Sequence, residues 1–235
     1  MSESRTSRSR NIALLIDADN VSAGSLDAAL TILGDIGTVN IRRAYGNWNK
    51  PALKGWASVI HSHAIEPQQQ FDLTKGKNAT DMKMTIDAMD LLYGGHVEGF
   101  GIMSSDSDFM PIAMRIRQNG LPVYGFGTNR TPEAFRQACT RFIDLSALPE
   151  DDDGDDKDKP KVDVKLVDAL GDAWKASKRD ENGFASLSEV GQRVANRSSF
   201  DARSYGFSRL SDLVESLPNF TTEKRGDGLY LKRVR

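Results

Sequence analysis

Two apolar runs in this chain end in a small group of acids. "LLIDADN" places Asp17, Asp19 and Asn20 behind residues 12–16, and "GIMSSDSDF" places Ser104, Ser105, Asp106 and Asp108 behind residues 99–103. A third acid, Asp81 in "KGKNATDMKMTIDAMD", opens a helical pattern. Aspartate caps helices and complements their dipole, which accounts for Asp19, Asp81 or Asp108 taken singly. Capping accounts less well for two apolar strands that both end in acids. Carboxylates within a few ångströms raise one another's pKa unless a cation neutralises them. Oxygen-only ligands suit Mg²⁺ or Mn²⁺, which keep several waters and leave positions for a phosphate oxygen. The pattern therefore points to a divalent-metal site that acts on phosphate. Asp87 lies about 120° around a helix from Asp81, so the two do not both face one site, and only the helix start at Asp81 is near the strand ends. Ser104 and Ser105 have no histidine base beside them, which makes them hydrogen-bond donors to a carboxylate or phosphate, or turn residues, rather than nucleophiles.

The elements that must position these acids alternate regularly. Residues 12–16, 39–45, 64–68, 99–103 and 122–126 read as strands; residues 22–36, 51–63, 79–93, 108–119 and 131–142 read as helices, the last with Thr131 as N-cap and Pro132 in the first turn. Such alternation implies an α/β fold, a mainly parallel sheet with helices on both faces. Ligands of such sheets gather beyond the carboxyl ends of the strands, where the acids stand.

The 235 residues carry a net charge of −2, which by itself neither requires nor excludes a nucleic-acid partner. Its distribution says more. Residues 1–149 hold 15 basic and 15 acidic side chains, residues 150–161 hold 3 and 7, and residues 162–235 hold 13 and 11. The acidic excess is concentrated in "EDDDGDDKDKPK", which contains no apolar residue and reads as a solvated linker over 148–162. It separates a first domain, 11–147, from a second, 163–235. Residues 1–10 form a basic leader without the apolar stretch of a secretory signal, and no apolar run has the length of a membrane helix, so a cytoplasmic protein without membrane contact is expected. The single cysteine, Cys139, excludes an internal disulfide framework and reads as a buried helical thiol. His61, His63 and His96 make no zinc set.

Behind the linker, helical patterns at 164–177, 188–195 (with Ser188 as cap) and 206–217 precede two strands joined across Gly226, Asp227 and Gly228. Three short helices and a hairpin make a small winged-helix (α+β) domain, with Tyr205, Phe207, Leu210 and Leu213 in its core.

"NIALLIDADNV", "KGKNATD", "SSDSDFMPIAMRIRQNG" with "PVYGFG", and "FRQACTRFIDL" together resemble the NYN domain of the PIN-like nuclease superfamily over residues 11–146. The resemblance implies a PIN-like (Rossmannoid) metal-dependent endoribonuclease. Its catalytic and metal-binding acids are Asp17, Asp81, Asp106 and Asp108, with Asn20, Ser104 and Ser105 in support and Mg²⁺ or Mn²⁺ as cofactor. "GFASLSEVGQRV", "FDARSYGFSRLSDLVESLPNF" and "GLYLKR" resemble an OST-HTH or LOTUS domain over 163–233, which implies a module that binds RNA or a protein partner. Candidate RNA contacts are Arg42, Arg43, Trp48, Lys50, Lys75 and Lys77 in the first domain, and Arg193, Arg197, Lys224 and Arg225 in the second. Two rival readings stand beside this one. The first is an RNA-binding adaptor whose nuclease domain does not cut, and the second a haloacid-dehalogenase-like phosphatase with Asp17 as nucleophile.

Overall fold

The computed structural model describes residues 9–71, 78–147, 164–197, 199–226 and 228–234. The linker 148–162, most of the basic leader, Lys75 and Lys77 lie outside the described residues. The chain divides into two compact units, Met1–Thr140 and Arg141–Arg235.

In the first unit, β1 (Arg10–Asp17) has residues 12–16 wholly shielded from solvent. A continuous apolar run of this kind is what a parallel strand covered on both faces demands. Ser22 caps a 3-10 turn by accepting from Gly24 N, and α1 (Leu26–Gly34) follows and returns the chain to β2 (Gly37–Gly46). A second turn, Pro51–Gly55, and α2 (Trp56–Ser62) lead to β3 (Glu66–Gln69). The long crossover helix α3 (Ala79–Gly94) ends at Gly95, whose φ of 71° a side chain would strain. Then come β4 (Gly99–Met103), a turn at Ser107–Phe109, α4 (Met110–Gln118), β5 (Val123–Gly127) and α5 (Glu133–Ala138), while the next strand, β6 (Arg141–Asp144), opens the second unit.

The sheet order is β3-β2-β1-β4-β5-β6. The pairs β1–β2, β1–β4, β2–β3 and β4–β5 are all parallel. Chain order runs outward from β1 in one direction and then, after α3, outward from β4 in the other. A crevice therefore opens at the carboxyl ends of β1 and β4, because the crossovers from these two strands leave toward opposite sides. Ile16 pairs with Met103, so the next residues, Asp17 and Ser104, emerge side by side at that crevice.

The structure corrects the helix expected over 131–142. Its N-cap is Pro132 rather than Thr131, and it stops at Ala138, after which Cys139 is already extended. Thr140 N donates to Val123 O (2.8 Å) and Val123 N to Thr140 Oγ1 (2.9 Å), turning the chain into β6, where Phe142 and Ile143 are buried. The clasp of Thr140 on Val123 overrides a helical pattern too short to hold on its own. Cys139 is buried as expected, but just past the helix, with Sγ donating to Phe135 O.

The second unit holds α6 (Val164–Ala176), β7 (Ala185–Ser186), α7 (Leu187–Arg197), a 3-10 turn at Ala202–Tyr205, α8 (Leu210–Ser216), β8 (Phe220–Arg225) and β9 (Gly228–Arg233). The last two strands are the expected hairpin, and the two-residue β7 makes the sheet three-stranded and antiparallel, β7-β9-β8. Ser188 falls inside the first turn of α7 rather than capping it, and the helix expected over 206–217 is shortened to α8 because the backbone turns left-handed at Gly206. Leu213 is fully buried, and Tyr205, Phe207 and Leu210 pack against the same core. Residues 141–144 group with this unit through Phe142 N to Ser199 O (2.9 Å), Asp144 N to Ser204 Oγ (3.1 Å) and the Arg141–Asp201 ion pair. Among the described residues, no helix is long and apolar enough to cross a membrane.

Candidate metal centre

Asp17 is the buried anchor of the crevice. Its Oδ2 accepts from Asn20 Nδ2 (2.6 Å) and Ser104 Oγ (2.7 Å). Its Oδ1 is buried without any hydrogen-bond partner. Burial raises the pKa of this carboxyl, the Asn20 and Ser104 bonds counter part of that rise, and the charges of Asp19 and Asp106 add to it. A buried carboxylate oxygen without a donor costs folding free energy unless something electropositive meets it. A divalent cation fits that requirement.

Ser104 joins the two strand ends. Its hydroxyl donates to Asp17 and accepts from Asp106 N (3.0 Å), while its own N–H is held by Phe126 O (2.9 Å). Asp106 in turn caps the following turn by accepting from Asp108 N at Oδ1 (2.9 Å). The cap fixes the direction of the Asp106 carboxylate and leaves it within reach of Asp81 and Asp108.

Asp81 comes from the first turn of α3. One carboxylate oxygen each from Asp81, Asp106 and Asp108 lies within 4.8 Å of the other two, a spacing compatible with a shared cation. Partial burial comes first among the causes that push Asp81 up to about 6, followed by the charges of Asp17, Asp106, Asp108 and Asp19. These four acids crowd Asp81 from both strand ends, which is the repulsion a metal would relieve. Asn78, unnoticed in the sequence, donates Nδ2 to Asp108 Oδ2. Only its place just before α3 hinted at it, since Asn there reads equally as a plain helix cap.

Other candidates are placed differently. Ser105 Oγ accepts from Thr128 N (3.3 Å), bracing the loop after β5. Asp87 is buried on α3, receiving Lys83 Nζ (2.8 Å), Tyr45 Oη (3.0 Å) and Arg43 Nη1 (3.5 Å). Arg43 also donates to Glu66 (3.0 Å), and Arg42 donates to Val39 O (3.0 Å) and His63 O (2.8 Å). Trp48 donates from its backbone N–H to Gln69 and from Nε1 to Gln68 O (both 3.1 Å). These three hold β2, α2, α3 and β3 together. Lys50 alone of the described first-domain candidates meets an acid of the strand ends, donating to Asp19 Oδ1 (3.2 Å). In the second unit Arg197 and Lys224 are exposed, Arg193 pairs with Glu189 (2.8 Å), and Arg225 pairs with Asp180 and Glu223 while lying over the rings of Phe184 and Tyr230.

Comparison with known proteins agrees with this architecture. The NYN domain model matches residues 11–146, and the OST-HTH/LOTUS domain model matches residues 157–231. An uncharacterized protein of Methanocaldococcus jannaschii is 26% identical over 120 residues, covering 49% of this chain and 47% of the relative. The match thus spans about half of that relative's length. A protein of unknown function from Vibrio parahaemolyticus, known from its crystal structure, is similar at 18% identity and a TM-score of 0.49, over 60% of this chain and 96% of its own.

Proposed function

Because the chain belongs to the NYN domain family and carries an OST-HTH/LOTUS domain behind it, we propose that it is a metal-dependent endoribonuclease with an appended RNA-binding module. The nuclease domain is 11–147, the acidic linker 148–162 and the winged-helix domain 163–235. One observation carries the reading: Asp81, Asp106 and Asp108 converge within 4.8 Å at the β1/β4 crevice, beside a buried Asp17 oxygen that has no donor.

Asp81, Asp106 and Asp108 would hold Mg²⁺ or Mn²⁺, with Asp17 Oδ1 facing the same charge. A bound ion there supplies a better water nucleophile and a counter-charge for the phosphate and the leaving oxygen. The chain's own residues do the rest. Ser104 and Asn20 hold the Asp17 carboxylate in one orientation, and Asn78 and the Asp106 cap fix Asp108 and Asp106 before substrate arrives. Such pre-organisation avoids reorganising charge during the reaction. Exposed Arg197 and Lys224 offer phosphate contacts on the second module.

The test is cleavage of end-labelled single-stranded and structured RNAs by the full chain with Mn²⁺, Mg²⁺ or EDTA, beside Asp106→Asn. Metal-dependent cutting that vanishes in the variant supports the nuclease. RNA binding without cutting in either protein supports the adaptor instead.

A further inference from the structure

We propose that Lys50 receives a phosphate of the RNA beside the scissile one, and that Asp19 is a positioning residue that holds the Lys50 ammonium over the carboxylate site. The proposal rests on the nuclease reading above. Asp19 stands two residues beyond Asp17 and outside the Asp81–Asp106–Asp108 group. One of its oxygens accepts from Lys50 Nζ (3.2 Å) and the other from Thr80 Oγ1 (3.3 Å), the residue before Asp81. Asp19 therefore links the first turn of α3 to the loop behind β2, and its charge is among those felt by both Asp17 and Asp81.

That loop is tied to its neighbours by hydrogen bonds. Lys50 N donates to Asn47 O (2.8 Å), and Pro51 follows at once. Trp48 is held at both of its nitrogens by β3, Gln69 Nε2 donates to Asn47 Oδ1 (3.2 Å), and Gln70 N donates to Gly46 O (3.2 Å). The two arginines and the tryptophan nearby are thus absorbed by the frame that aims Lys50. The Asp81–Asp106–Asp108 group, with the charges of Asp17 and Asp19 nearby, repels a polyanion, and an ammonium held at its rim offsets that repulsion where the backbone must enter. The Lys50–Asp19 pair is partly exposed. The Lys50 side chain is 41% exposed, and an ammonium has three donors, so it can meet a phosphate while Asp19 still holds it.

The test uses the full chain and an end-labelled oligouridine. Equilibrium binding is measured against salt in EDTA, where no metal supports cutting, and steady-state cleavage is measured in Mn²⁺. Lys50→Ala should weaken binding about fivefold and make the log–log salt slope shallower by about 0.7, the loss of one single-strand phosphate contact, while Lys50→Arg restores the slope. Asp19→Asn should leave the slope unchanged and lower kcat roughly tenfold through misplacement, with little change in KM. Circular dichroism and Tm serve to verify that each variant is folded. Lys50→Ala binding with the affinity and slope of the unmodified protein overturns the phosphate contact; Asp19→Asn turning over at the unmodified rate overturns the positioning role. An unmodified chain that binds RNA but never cuts it sinks the nuclease reading instead, and the slope comparison still decides on Lys50.

Discussion

Asp81 carries a conflict between stability and function that can be read from its surroundings. Partial burial and four neighbouring acids raise its pKa from 3.8 to about 6. In that interval the folded chain binds the proton more tightly than the unfolded chain. Stability is therefore fully present below pH 4, is lost as pH rises through about 6, and stays lower at neutrality. Because the side chain is half-exposed, solvent screening leaves about 1 kcal/mol of this penalty. Asp81→Asn should raise the Tm of metal-free protein by about 2–4 °C at pH 7, and the gain should vanish when unfolding is followed below pH 4. Added Mn²⁺ should then lift the Tm of the unmodified chain and not that of the variant, since only the former keeps the acid. Ser104 poses the opposite case. Ser104→Ala removes one of two donors to Asp17 Oδ2 and the acceptor of Asp106 N, and should cost about 1–3 kcal/mol in urea unfolding at unchanged m.

At the scale of elements, the placement of Asp81 depends on how α3 sits against β2. Asp87, six residues further along the helix, is 6% exposed, and Tyr45 on β2 is wholly buried. Burial first, then the charge of and bond to Asp87, raise the Tyr45 pKa, so the phenol stays protonated and donates. Tyr45→Phe removes that donor from a buried carboxylate. We expect a loss of about 1–2 kcal/mol, with hydrogen exchange quickening first along α3, whose Asp87 then keeps only Arg43 as a bond from β2 among those described. Gly101 in β4 shows a different constraint: a Cβ there would meet Leu33 Cδ1 at 2.9 Å and Leu14 Cδ1 at 3.0 Å. Both are side-chain tips, so Gly101→Ala should destabilise by about 1–2 kcal/mol rather than prevent folding, as chemical denaturation would register.

On the scale of the whole molecule, the chain joins a domain carrying a carboxylate cluster to a winged-helix domain through a highly acidic segment. If both modules contact RNA as proposed, each raises the local concentration of the other for a shared strand. Removing residues 157–235 should therefore weaken binding of long RNA by about tenfold or more, measured by filter binding, while cleavage of short oligonucleotides falls less. The truncation also strips Phe142 and Asp144 of Ser199 and Ser204, so a lower Tm should accompany it.

The alternation of apolar runs made the parallel sheet legible, because strands buried on both faces must be apolar throughout, and acids closing two such runs stood out against them. Those patterns also located the second module's helices and hairpin, although the third helix is shortened behind Gly206 and Ser188 lies inside its helix rather than capping it. Tertiary structure decided what periodicity does not encode. It ended the helix at Ala138 and let residues 141–144 run on as a strand, because Thr140 is clasped to Val123. It also assigned Arg42, Arg43, Trp48 and Arg225 to internal partners, because a basic or aromatic side chain looks the same in sequence whether it meets a carbonyl or a solvent-facing ligand. Above all, it brought Asn78 to Asp108 and Lys50 to Asp19 across 30 and 31 residues of chain. The strand order that reverses at β1 and β4, and not the spacing along the chain, determines which of these groups share one crevice.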